Sequence, residues 1–205
     1  MYTAIAMYET CPKVRSSMVE QKRGVERRDL ITSAALRVII ARGVHATTHR
    51  AIAVEAGVPL GSLTYYFDGL TQLIEETFAR LYDEISTTHR LALETVNSRD
   101  GAVDAVTDMI CGTHGPSDEQ LRAMIELYTY ANHNSAAAEI CVRWLQTTHD
   151  VLAPHFCEHA LEALDALIEG WGIHQHFRAE PAQWDIVRAA VAAIAAAHDV
   201  GVCTK

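Results

Sequence analysis

The chain is 205 residues long, 49% hydrophobic and 21% charged, with a formal net charge of −9. That length holds one large domain or two smaller ones, and that composition excludes a disordered or low-complexity chain. The longest apolar run, Ala189 to Ala197, is nine residues, well short of the roughly 20 that cross a membrane.

The opening segment has no basic start followed by an apolar stretch, so a secretory signal is not expected. The five Cys, at 11, 111, 141, 157 and 203, form no CxxC pair. They fit reduced thiols in a cytoplasm rather than a disulfide framework. The charge is uneven. Residues 1–70 hold nine Lys/Arg and six Asp/Glu (+3), and residues 71–205 hold eight and twenty (−12). Two parts with different partners are expected. Phosphate binding needs positive charge only at the contact surface, so the net sign does not exclude DNA.

Residues 1–22 lack helical periodicity and read as a flexible extension. From Glu26, Leu30, Ala34 and Val38 with Ile31, Ala35 and Ile39 form an apolar stripe at helical spacing. Arg42-Gly43 ends that helix, with Gly43 as a left-handed cap. Thr47 or Thr48 caps a second, short helix. Its inner face is Ile52, Ala53 and Ala56, and Gly57 breaks it. After the Val58-Pro59 turn, Leu60 to Phe67 forms a third helix with Leu63 and Phe67 on its buried side. Two short helices joined by a Gly-containing turn, behind a longer one, outline a helix-turn-helix. His49, Arg50, Ser62, Thr64, Tyr65 and Tyr66 then fall on exposed faces.

Thr71 to Asn97 is nearly continuous helical pattern, with Leu73, Phe78, Leu81, Ile85, His89 and Ala92 recurring. Further helices are expected at Ala102–Gly112, from the Ser117-x-x-Gln120 capping box to about Asn132, at Ser135–Val151, Glu158–His174 and Ala182–His198. No strand and no internal repeat is apparent, so the fold class is all-α. The boundaries read as 1–22 extension, 23–70 helix-turn-helix domain and 71–205 helical domain.

Ala35-Leu36, Gly43, Thr47-Thr48, Ile52-Ala53, Glu55-Ala56-Gly57-Val58, Gly61-Ser62-Leu63 and Tyr65-Tyr66-Phe67, with Leu73 beyond, carry a family resemblance. On these residues the stretch Leu30 to Leu73 resembles the DNA-binding domain of the tetracycline-repressor (TetR) family. The resemblance implies an N-terminal three-helix DNA-binding domain and a C-terminal helical domain that binds a small molecule and dimerises. It implies that Thr48 caps the second helix and offers a phosphate contact, alongside His49 and Arg50. Leu60, Gly61 and Ser62 would open the recognition helix, with Gly61 permitting close approach to DNA. Tyr66 would be a phosphate ligand and Tyr65 a sugar or phosphate contact.

Two positions depart from the family pattern. Thr64 stands where relatives usually have Tyr. Leu70 stands where relatives usually have a phosphate-binding Lys, which leaves backbone N–H groups or Arg23, Arg27 or Arg28 to make that contact. Lower affinity and a shallower salt dependence are expected. Leu60 either packs on a thymine methyl or shields the turn.

Residues 74–205 carry no family motif. The small, apolar run Ala189–Ala197 and the stripe Leu161, Leu164, Ile168 and Trp171 suggest a homodimer through the last two helices. A ligand pocket is expected among the middle helices, with candidates Met109, Cys111, Met124, Leu127, Tyr128, Cys141, Trp144, Leu145, Trp171 and His174. A ligand there would wedge between the long helix and the segments around Cys111, Tyr128 and Trp144. His155 and His159, four residues apart, are the best metal spacing, but Pro154 interrupts the helix start and no metal is assigned. No nucleophile elbow, phosphate-binding glycine loop or cofactor motif is present.

The reading is a cytoplasmic transcriptional regulator: a repressor that binds double-stranded operator DNA and is released from it by a small molecule. The rivals are an activator or ligand-independent DNA-binding protein, and a helical metal-dependent enzyme.

Overall fold

The computed structural model describes residues 12–112, 114–178 and 181–197; among them are nine α-helices, one 3-10 turn and no strand. The first helix, α1, runs Pro12–Arg42. Residues 12–22, expected in a flexible extension, are therefore helical; residues 1–11 lie outside the described residues. Periodicity missed this start because the segment has no apolar stripe. Its Lys, Arg, Glu, Gln and Met are good helix formers, and Pro12 suits a first turn, where no N–H bond is lost.

The chain divides into two compact units between Thr77 and Phe78, seven residues beyond the boundary expected at residue 70. In the first unit, α1 is followed by a 3-10 turn at Val44–Ala46, α2 at His49–Ala56 and α3 at Leu60–Tyr66. The fourth helix, α4, spans Leu70–Glu94, so the unit boundary falls inside it. Ile31, Ala34, Ala35 and Val38 of α1 pack on Ile52, Ala53 and Ala56 of α2, with Leu63, Phe67 and Leu73 completing the core. Each buried Ile, Leu or Phe there contributes about 1.5–3 kcal/mol. Gly57 caps α2 in the left-handed region (φ 64°, ψ 36°), which a side chain resists. Gly43 has φ 79° but ψ 159°. It precedes the 3-10 turn at Val44–Ala46 as its N-cap, outside the left-handed α conformation expected of it.

The second unit contains the rest of α4, then α5 (Arg99–Cys111), α6 (Asp118–Ala131), α7 (Ser135–Leu152), α8 (Glu158–Arg178) and α9 (Trp184–Ala197). Ser98, Ser117 and Asn134 cap α5, α6 and α7 by accepting from backbone N–H groups, and Ser117 with Gln120 forms a full capping box. Val187, Val191 and Ala195 of α9 are buried in one core with Ala102, Val103 and Val106 of α5 and Leu161, Leu164 and Ile168 of α8. Arg188 of α9 reaches Asp104 at 2.6 Å and Asp100 at 3.3 Å on α5. The eighth helix continues to Arg178, past the end expected at His174. Gly170 and Gly172 do not break it, since a glycine costs only about 1 kcal/mol there. At Gly172 a methyl would lie 3.2 Å from Leu121 Cδ2, so its bare backbone lets α6 approach.

Candidate nucleic-acid interface and ligand pocket

In the first unit, Thr48 Oγ1 accepts from the Ala51 N–H at 3.2 Å and caps α2. Thr48 and Arg50 are exposed, and His49 is half-buried with a buried Nε2 that has no hydrogen-bond partner. Thr48 and Arg50 border a groove of about 380 Å³ with Arg37, Arg42 and Glu55. Arg37 is paired with Glu55 at 2.6 Å.

The third helix turns its two faces in opposite directions. Leu63 is fully buried and Phe67 nearly so, while Leu60 is 48% and Tyr65 80% exposed. Gly61 and Thr64 are also exposed, and Ser62 and Tyr66 are half-buried. The Thr64 hydroxyl donates to the Gly61 carbonyl at 3.1 Å. The Tyr65 and Tyr66 rings meet edge to face at 4.9 Å. All nine residues singled out for DNA thus sit on α2, its cap or α3.

Of the alternatives for the phosphate contact that Leu70 cannot make, Arg28 is engaged within the first unit. Arg28 Nε donates to Glu76 Oε1 at 2.6 Å and its Nη2 to Glu76 Oε2. Its Nη1 donates to the Tyr66 carbonyl at 2.8 Å, and the guanidinium lies 4.6 Å over the Phe67 ring. Every nitrogen of Arg28 is engaged within the first unit, where it satisfies a carbonyl at the end of α3. Arg23 and Arg27 stay exposed. Leu70 packs against the first unit's core.

The second unit contains a cleft lined by Ile85 and His89 of α4, Met109 and Ile110 of α5, Leu121, Met124, Ile125 and Tyr128 of α6, Trp144 of α7, and Ile168, Glu169, Gly172, Ile173 and Gln175 of α8. Its free interior is about 20 Å³, inside a cleft of about 520 Å³ counting space open to solvent. That interior holds roughly one water. Among the described residues, Glu169 is the one acid in its lining. Trp144 Nε1 donates to Glu169 Oε1 at 2.7 Å, and the Tyr128 hydroxyl donates to Oε2. Trp144 also packs on Tyr82, with centroids 4.2 Å apart.

Burial, reinforced by the Glu169 charge, holds the Tyr128 phenol far above its usual range. Burial, with the nearby His114, lowers His89 to about 4, so its ring is neutral. Asp165, one turn before Glu169, is raised to about 6 by burial and then by Glu169, against the opposing pull of His149.

Of the expected ligand residues, Met109, Met124, Tyr128 and Trp144 line this cleft; Cys111, Cys141, Trp171 and His174 do not. Helical phase explains one of these: Cys111 is two residues after Met109, so it is turned about 200° from it. The Cys111 thiol donates to the Thr107 carbonyl at 3.3 Å. Cys141 lies a turn before Trp144 on α7. Trp171 and His174 border a separate groove of about 180 Å³ with Arg178 and Ile186. Leu127 is core and Leu145 is exposed.

Sequence reasoning missed Glu169 and read His89 as packing. The signal for Glu169 was an acid set directly after Ile168 in an apolar stripe and before Gly170. Among the described residues, no group of three His, Cys, Asp or Glu is placed to hold a metal. Among them too, no helix is long and apolar enough to cross a membrane.

A capped helix-turn-helix in one unit and an internal aromatic cleft in an all-helical second unit define a two-part helix-turn-helix regulator fold. Residues 31–77 match the model of the bacterial regulatory proteins, tetR family. A protein from Streptomyces coelicolor A3(2), described as a transcriptional regulator, is 36% identical, with a TM-score of 0.75 over 83% of this chain and 98% of that one. The regulator BetI, of helix-turn-helix type, from Vibrio vulnificus (strain YJ016) is 27% identical over 112 residues, 54% of this chain; the match spans only 57% of that protein. A regulator from Saccharomonospora viridis in complex with choline shares the fold at 20% identity, TM-score 0.65, over 85% of this chain and 97% of that one. The chain belongs to the TetR family.

Proposed function

We propose that the protein is a DNA-binding transcriptional regulator, a homodimeric repressor that leaves a palindromic operator when a small molecule occupies the cleft of the second unit. The observation that carries this reading is α3, whose buried Leu63, with buried Phe67 just past its end, leaves Leu60, Gly61, Thr64 and Tyr65 facing outward. A recognition helix presents its N-terminal residues to base edges in this way. Thr48, Arg50 and Tyr66 supply the phosphate contacts that set register.

Dimerisation is supported by apolar side chains left exposed on the last two helices: Ile173 and Phe177 of α8, Trp184 and Ile186 of α9. Two subunits give the two recognition helices that a palindrome requires. A small-molecule effector is supported by the cleft and by the choline complex of a fold relative. The coupling runs through α4, which carries Leu73 in the first unit's core and Ile85 and His89 at the cleft. An effector acts by binding the DNA-competent and DNA-incompetent states unequally. The protein acts in the cytoplasm, on DNA, as a regulator and not an enzyme.

Substitutions at Leu60 and Ser62 test the reading. Each is expected to change base preference at discrete operator positions, costing about 1–3 kcal/mol there, with affinity for random duplex unchanged. Base preference indifferent to both substitutions would refute α3 as the recognition element.

A further inference from the structure

The cleft carries an unbalanced negative charge. Both oxygens of Glu169 are held, but by neutral donors, the Trp144 indole N–H and the Tyr128 hydroxyl. These orient the carboxylate and bring no positive charge. Among the described residues, no Lys or Arg lines the cleft. The one histidine in the lining, His89, is neutralised by burial. Asp165 adds a second acid one turn away, raised to about 6 by burial and then by Glu169.

The walls are aromatic, aliphatic and thioether. An anion would meet repulsion here, and a neutral apolar molecule would gain nothing from the carboxylate. A cation would gain Coulomb attraction in a partly dry site and the π-faces of Trp144 and Tyr128. A second, independent observation marks the same place: His89 is 4% exposed and lines the cleft, yet its buried Nε2 has no hydrogen-bond partner. A buried polar nitrogen left unpaired costs stability, and a ligand or its water removes that cost.

We propose that the effector is a small organic cation with an apolar body, with Glu169 as its counter-charge and Trp144 and Tyr128 as its aromatic walls. This rests on the cleft being the effector site. The interior of about 20 Å³ is too small for such a molecule. The cation must therefore displace side chains around Trp144, whose indole leaves Glu169 as the ammonium approaches it. The exchange replaces a hydrogen bond from a neutral donor with an ion pair.

Calorimetric titration of the full chain tests this with three probes of one shape class: phenyltrimethylammonium, its neutral isostere tert-butylbenzene, and benzenesulfonate. Trp fluorescence reports the displacement of Trp144. The cation is expected to bind about ten-fold or more tighter than either other probe. Glu169→Gln keeps the size and the acceptor oxygen, and a thermal melt confirms its fold. It is expected to erase that preference and leave tert-butylbenzene affinity within about two-fold.

Equal affinity for the cation and its neutral isostere, preference for the sulfonate, a preference unchanged in Glu169→Gln, or no binding up to about 10 mM would each overturn the proposal. Operator release is read separately. Selective cation binding without release of DNA would leave this inference standing and remove induction. Release by a neutral or anionic compound alone would do the reverse.

Discussion

Replacing Arg28 with Met separates a structural arginine from a phosphate ligand. Arg28 makes a bidentate pair with Glu76, donates to the Tyr66 carbonyl at 2.8 Å and stacks 4.6 Å over Phe67. The pair is partly exposed, at 36% and 25% of the two side chains, so screening limits it to about 1 kcal/mol. The carbonyl bond adds about 1 kcal/mol, and the stack about 0.5–1 kcal/mol. Met keeps much of the aliphatic stem's packing. The expected destabilisation is therefore about 2–3 kcal/mol, read by urea unfolding. A double-mutant cycle with Glu76→Gln should recover about 1 kcal/mol of coupling.

DNA binding distinguishes the two roles. Arg28 holds a carbonyl at the end of α3, so its loss loosens the recognition helix and lowers affinity. It releases no counterion from DNA. The slope of log affinity against log salt should stay as in the wild type, whereas loss of a phosphate contact would lower it by about 0.9. Unchanged stability together with a slope reduced by that amount would refute the structural role.

Two further outcomes follow from the second unit. Ile186→Glu places a charge on the exposed apolar surface of α9. Sedimentation should show monomers with native helicity, and a wild-type chain that is monomeric at micromolar concentration would defeat the dimer. Asp165→Asn tests an acid whose folded pKa, about 6, lies above its ordinary 3.8. The folded state holds that proton more tightly, so this group's contribution to stability falls as pH rises from about 4 to 6. The variant should gain of order 1–3 kcal/mol at pH 7 and nothing near pH 3.5. His89, lowered to about 4, titrates with the opposite sign over an overlapping window, so the variant is compared with wild type at each pH. A variant no more stable than wild type at pH 7 would contradict the burial cost assigned to Asp165.

The helix-turn-helix was legible because its constraints are local. Thr48 as cap, Gly57 as terminator, and Ile52, Ala53, Ala56, Leu63 and Phe67 at crossing positions are all set by spacing within some 20 residues. The start of α1 was hidden because a segment with no apolar stripe in its sequence leaves no periodic signal. The cleft was only half legible. Met109, Met124, Tyr128 and Trp144 stood out as large apolar or aromatic residues on middle helices. Cys111 shares that chemistry but turns away, and phase relative to a partner helix cannot be read from composition. Glu169 was the costlier omission. Its role depends on donors from α6 and α7, 41 and 25 residues away in sequence. Arg28, exposed-looking in a basic stretch, is claimed by Glu76, 48 residues on.

Selection of bound duplexes from a random pool by the full chain tests whether α2 and α3 form a DNA-reading unit used in pairs. One palindromic site should be enriched, its half-sites about 10–10.5 base pairs apart or a multiple of that, so that both recognition helices reach major grooves on one face. A pool that yields no enriched duplex, or an enriched site with a single unrepeated half, would contradict it.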